Sequence, residues 1–476
     1  MVKIKLWRIF CSLFVVIFCT LLACRAQPNI PLDKINVEAE YYDNGLIGGV
    51  LDIKYQKRYP TQESALFSVY PNINSPNLEK PLKIVSINCD GKIADYKFLD
   101  EQKTTLSVSL DNKKTACSVK IKFLLQLDNK NERLAFTDKT VSLGNWLILP
   151  CAYIDKKFVL PVNACVGDPF VTECADFNVR LTVPSTFTVA ASAIPSSLDV
   201  AGDKTTYIYE QKKVRDFCFV LSEAYNVDRI VISNSDKTLG VNDSATETQK
   251  AADRSINYYF YGDIDSQSVL KLAKKALLYF SKIYGEYPYE SLSICHTPLN
   301  AGGMEYPALC MVSDGLLASD YAHALVHEIA HQWWYAVVGT NQIESPFIDE
   351  GLAELSTALF FEAHPDYGVS YDLLRERAKS AVTKYGEVYF ALNKKPDLAL
   401  NKVLTDFKGI NDYVAICYKQ SFLAFDSAKN AIGEKKLVKH LSSIYCQYAY
   451  QIITAEKLFN SLGGARPIME GYFNGV

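Results

Sequence analysis

Histidine is scarce in this 476-residue chain, with six in all, and no long run of one sign disturbs the balance of 50 basic against 53 acidic residues. Without a basic stripe, nothing tracks a phosphate backbone, which argues against nucleic acid as a partner. None of the 13 cysteines forms a Cys-x-x-Cys pair, so zinc-finger and dithiol redox chemistry are unsupported. Internal repeats and low-complexity tracts are also missing, which sets aside solenoids and biased disordered arrays. Beyond the first two dozen residues, no segment reaches the ~18 uninterrupted apolar residues of a membrane span.

What is present describes a folded protein of two or three domains: 49% hydrophobic and 22% charged residues over a length too great for one ordinary core. Lys3, Lys5 and Arg8 precede an apolar stretch from Ile9 to Ala23, the plan of a signal peptide over residues 1–26. Its end, Leu21-Leu22-Ala23-Cys24, resembles a bacterial lipobox, in which Cys24 would receive lipid and become the mature N-terminus. Cleavage after Ala26 would instead release the protein, and an uncleaved segment would serve as a short anchor. The expectation is an exported chain, on the outer face of the membrane or secreted. Ten further cysteines, from Cys89 to Cys446, are compatible with disulfides or with buried thiols.

From about Ile30 to Tyr225, short β-branched or aromatic runs alternate with turn residues, as in Val179 to Val183 before Pro184-Ser185. From about Asp265 the period lengthens: Val269, Leu272, Ala273, Ala276, Phe280 and Ile283 recur at steps of three and four. The polar stretch Asn234 to Lys250 reads as a surface loop. The predicted architecture is α+β and multi-domain. An antiparallel, sandwich-like β domain over 27–225 precedes a mainly helical domain with a small sheet over 226–476.

Three of the six histidines, His323, His327 and His331, fall at intervals of four in a run from Asp320 to Val338 that can be helical, with Ser319 as N-cap and Gly339 as C-terminal stop. On a helix His327 and His331 point the same way, and two imidazoles one turn apart can share one zinc ion. Glu328 completes the His-Glu-x-x-His pattern of zinc metalloproteases. A catalytic zinc needs a third protein ligand and an open position for water. Glu350 is the candidate, in a second helix announced by Ser345 as N-cap and Pro346 at the first turn. Glu354, one turn further on, could fix the tautomer of a zinc-bound histidine. His323 shares the face, but three ligands suffice, which leaves it a structural role.

These residues resemble the aminopeptidase N family of gluzincins, whose signature is His-Glu-x-x-His, eighteen residues and Glu. Gln332 to Asp349 fill that gap, and Asp349-Glu350-Gly351-Leu352-Ala353 is similar to the family's Asn-Glu-Gly-Phe-Ala block. Upstream, Gly302-Gly303-Met304-Glu305-Tyr306 resembles the Gly-Ala-Met-Glu-Asn exopeptidase motif. The resemblance implies that Glu305 binds the substrate's α-amine while Gly302, Gly303 and Met304 lie along its backbone. It also implies that a tyrosine of a Tyr-x-Lys-Gly block stabilises the oxyanion. Tyr418 aligns with it, although Gln420-Ser421 replace Lys-Gly, and Tyr413 is the second candidate. Asp176-Phe177-Asn178-Val179 and Arg215-Asp216-Phe217 are similar to the family's N-terminal domain. The resemblance implies a thermolysin-like catalytic domain over 226–476, and the large C-terminal helical domain of longer members is not expected after the tyrosine region.

The function expected is therefore a one-zinc aminopeptidase acting on peptides with a free N-terminus, with Glu328 as general base. A zinc endopeptidase with an open cleft and a catalytically silent surface binding protein are the alternatives.

Overall fold

The computed structural model describes residues 33–73, 80–111, 113–233, 236 and 253–475, so the export segment with Cys24 and nearly all of the 234–250 loop lie outside them. The first half is β-structure because its alternation has a face to bury. In Ala175–Pro184, Phe177, Val179, Leu181 and Val183 turn inward while Asn178 and Arg180 face out. That strand lies in an eight-stranded sheet ordered Ser197–Ala201, Lys204–Val214, Ala175–Pro184, Asp33–Tyr41, Leu46–Gln56, Ala116–Gln126, Leu82–Cys89, Lys92–Ile93. Two four-stranded sheets accompany it, and buried residues of all three share one core. Neighbours in the large sheet pair antiparallel except Asp33–Tyr41 with Ala175–Pro184, which run parallel. These two strands are separated by over a hundred residues of the domain, so no hairpin constrains their direction. One two-residue hairpin turns on Asp90-Gly91, both with positive φ (52° and 81°), the geometry that matches strand twist.

In the second half, a five-stranded sheet runs Asn226–Ile232, Arg254–Phe260, Ser291–Thr297, Leu309–Ser313, Gly303–Tyr306. Its last strand carries Gly303-Met304-Glu305-Tyr306 at the sheet's edge, antiparallel to Leu309–Ser313. Helix Ser266–Ile283 buries Leu272, Ala273, Ala276 and Phe280, and the Asp265 carboxylate caps its start by accepting from Ser268 N–H at 3.1 Å. Helix Ala318–Ala330 carries the histidine motif, with His331 closing it, and helix Phe347–Ala363 carries Glu350 and Glu354. From Phe347 to Phe361 this second helix is buried on every side. Its start differs by one residue from the sequence reading. Pro346 is the capping residue and the Ser345 side chain forms no cap, while the Ser345 carbonyl accepts from Ile348 N–H at 3.2 Å.

The two halves are joined by a buried cation. Arg215 donates to the carbonyls of Thr172 (2.7 Å), Tyr335 (2.8 Å), Val337 (3.3 Å) and Gln451 (2.6 Å). Gly339 lies against its guanidinium, where a β-carbon would collide. Among the described residues, none of the ten cysteines from Cys89 to Cys446 is in a disulfide. Among the described residues, no helix is long and apolar enough to cross a membrane.

Candidate active site

The histidine helix and the glutamate helix pack so that three donor atoms converge. His327 Nε2 lies 3.0 Å from His331 Nε2 and 3.2 Å from Glu350 Oε2, and His331 Nε2 lies 3.7 Å from the same oxygen. The other nitrogen of His331, Nδ1, lies 3.1 Å from the Trp334 carbonyl, which fixes Nε2 as the end free to bind metal. All three residues are buried. Two imidazole nitrogens 3.0 Å apart share at most one proton, so a cation is the natural occupant of the space they face. Ligand atoms held about 2.0 to 2.2 Å from a tetrahedral zinc stand about 3.3 Å from one another, which is the spacing found.

Glu305, Glu328 and His331 form a second, overlapping cluster whose donor atoms also lie within 4.8 Å of one another. Glu328 Oε2 is buried without a partner. Burial raises the Glu328 carboxyl, with Glu350 and Asp168 adding to it against the pull of His327 and His331. Gly303 is the floor of this cluster, because a β-carbon there would overlap the Glu328 carboxylate. Gly302 has no such neighbour, so its backbone is open on that side. Gln332, next to His331, ties the edge strand to the histidine helix. Its amide donates to Tyr306 O at 3.0 Å and accepts from Ala308 N–H at 2.8 Å, which holds Glu305 in place. From the β domain, Arg133 pairs with Asp168 and reaches Met304 Sδ at 2.9 Å.

Tyr418 and Lys419 come from a π-helical turn, Val414–Gln420. Tyr418 donates its hydroxyl to Glu350 Oε1 at 2.7 Å and stacks on the His327 ring with centroids 5.7 Å apart. Lys419 pairs with Glu354 at 2.8 Å, and Glu354 Oε1 stands 3.3 Å from His327 Nδ1 and 3.8 Å from His323 Nε2. His323 thus lies behind the donor triad and not in it. Tyr413 is buried edge-on against Tyr418, 5.8 Å away, so of the two tyrosines Tyr418 is the one that reaches the site. Ser421, where the family has glycine, packs against Gly351 of the glutamate helix.

Sequence reasoning named His327, Glu328, His331, Glu350, Glu354, Glu305, Met304, Gly302, Gly303 and Tyr418, and the fold gathers them around one centre. It missed Gln332, Gln342, Arg133, Asp168 and Lys419, polar residues with no motif of their own. Gln332 beside His331 and Lys419 beside Tyr418 could have drawn notice by position.

The fold and this donor set define a one-zinc metallopeptidase with a His-His-Glu metal site. Residues 269–470 match the Peptidase family M1 domain. The two-domain fold is shared with the M1 zinc metallopeptidase from Deinococcus radiodurans at 14% identity and a TM-score of 0.62, covering 94% of this chain and 95% of that one. A mutant of that enzyme bound to a Tyr-Ser-Ala substrate is similar at 13% identity, a TM-score of 0.61 and 93% of each chain. No curated protein matches the sequence.

Proposed function

We propose that this chain releases N-terminal residues from peptides, using one zinc ion held by His327, His331 and Glu350. Bound there, zinc would acidify a water molecule and polarise the scissile carbonyl. Glu328 takes the proton from the attacking water and delivers it to the leaving amine, its unpartnered Oε2 being the basic atom. Tyr418, with its hydroxyl at Glu350, donates to the carbonyl oxygen as negative charge gathers there. Glu305 takes the free α-ammonium, and Gly302 and Gly303 leave room for the substrate backbone.

One observation carries the exopeptidase reading: Glu305 lies within 4.8 Å of Glu328 and His331. In a peptide the α-nitrogen stands about 2.5 Å from the carbonyl carbon of its own residue. A buried carboxylate so near the general base therefore suits the ammonium of the very residue being removed. An acylated nitrogen would leave that carboxylate without its cation.

Support for export comes from Lys3, Lys5 and Arg8 before the apolar run and from Cys24 at its end, so the enzyme acts on peptides outside the cytoplasmic membrane. The test is hydrolysis of peptides by the purified chain with and without a chelator, beside Glu328→Gln. Loss of cleavage with either supports the zinc mechanism. Turnover by Glu328→Gln at the parent rate would overturn the role of Glu328. A folded, zinc-loaded parent without any turnover would favour the silent binding protein.

A further inference from the structure

Between the histidine helix and the glutamate helix runs a short loop, and one of its side chains is unexplained by the chemistry above. Gln342 is 3% exposed. Its Nε2 makes a long contact of 3.5 Å to Glu305 Oε1, and its Oε1 is buried with no partner among the described residues. Facing a carboxylate, an amide turns its NH2 end toward it, which leaves the carbonyl as the free end. The loop does not wander. Asn341 Oδ1 accepts from Ile343 and Glu344 N–H at 3.2 Å each, Thr340 Oγ1 donates to Asp349 at 2.9 Å, and Leu404 N–H donates to Ile343 O at 2.7 Å.

A buried acceptor without a donor is costly and calls for one. The substrate's α-ammonium brings three donors, and Glu305 alone leaves some of them unmet. We infer that Gln342 is a second binding group for the α-ammonium, its carbonyl accepting one N–H while Glu305 accepts another. A neutral acceptor suits this place, because Glu305, Glu328, Glu350, Asp349 and Asp168 already crowd the region with carboxylates. The weak 3.5 Å contact to Glu305 yields readily to a charged donor. This inference rests on the aminopeptidase reading and assigns part of its specificity to the eighteen-residue spacer.

The experiment compares the zinc-loaded parent with Gln342→Met, which keeps length and removes the amide, and Gln342→Asn, which withdraws it and only frees space. Calorimetry measures binding of free L-amino acids and of their N-acetyl forms, and peptide kinetics give KM and kcat separately. Loss of one hydrogen bond to a cation predicts about 10- to 100-fold weaker binding of free amino acids. KM for free peptides rises in step, while binding of N-acetyl forms and zinc content stay unchanged. Gln342→Asn falls between parent and Gln342→Met, and it decides the matter if Gln342→Met does not fold. Unchanged binding of free amino acids in the variants, or equal loss for free and acetylated forms, overturns the inference. The parent and Glu305→Gln separate the two levels. If the parent itself shows no preference for free over acetylated ligands, the aminopeptidase reading fails. If Glu305→Gln abolishes that preference while the Gln342 variants keep it, only the role of Gln342 falls.

Discussion

Gly303 touches the Glu328 carboxylate closely enough that a methyl group would displace it. Gly303→Ala should lower kcat at least about 100-fold through loss of proton transfer while leaving zinc content intact. Metal analysis beside kinetics checks this, and a variant with parental kcat would show that Glu328 tolerates the shift. Glu354 sits between Lys419 and His327 Nδ1. Glu354→Gln should weaken zinc binding about 10- to 100-fold, read by competition with a chromogenic chelator, and Lys419→Met should shift it the same way by less. At this scale His327 and His331 were legible because they follow the period of one helix, a local rule, with Glu328 completing their motif, whereas Glu350 stood out only through the eighteen-residue spacing of the family it resembles. Gln332, Lys419 and Arg133 were not legible, because each acts through a partner at least 22 positions away in sequence, a pairing that only the fold defines.

The second helix illustrates how elements resist reading to the residue. Ser345-Pro346 announced it, yet it begins at Phe347 with Pro346 as cap, because the Asn341 loop already engages Ser345, whose N–H donates to Asn341 O at 2.8 Å. The π-helical turn at Val414–Gln420 left no period to detect, although it is what brings Tyr418 to Glu350 and Lys419 to Glu354 together. The β half was legible as strands from alternation in segments such as Val179 to Val183. The parallel pairing of Asp33–Tyr41 with Ala175–Pro184 was not, since it depends on chain segments far apart in sequence. Arg215 belongs at this scale because it binds elements and not substrate. Arg215→Met would leave carbonyls of Thr172, Tyr335, Val337 and Gln451 without their donor, and it should cost at least about 3 kcal/mol, measurable as a lowered denaturation midpoint. Arg215→Lys should not restore it, because an ammonium cannot reproduce the planar fork.

Across the whole molecule, the β domain and the catalytic domain meet at polar groups that carry a pH signature. Asp216 receives Phe217 N–H at 2.8 Å and the Asn145 amide at 3.3 Å, and Asn145 in turn accepts from Tyr306 OH at 2.7 Å, beside Glu305. Burial pushes the Asp216 carboxyl up from 3.8 to about 6, with Phe217, Cys218 and Asn145 opposing it. A raised folded-state value means that this group's stabilisation is full below 3.8 and is lost as pH rises through about 6. The Tm of Asp216→Asn relative to the parent should therefore increase between pH 5 and pH 7.5, by the equivalent of about 1 kcal/mol. A difference that stays flat would place the group outside the folding equilibrium. The Glu305 carboxylate and the metal site act together on a free N-terminus, and one ratio tests this: kcat/KM for free peptides over that for their N-acetylated forms, in the zinc-loaded parent and in Glu305→Gln. A parental preference for free N-termini of about 100-fold, collapsing toward unity in Glu305→Gln, is expected. Equal cleavage of free and acetylated peptides by the parent would contradict it and make the enzyme a zinc endopeptidase.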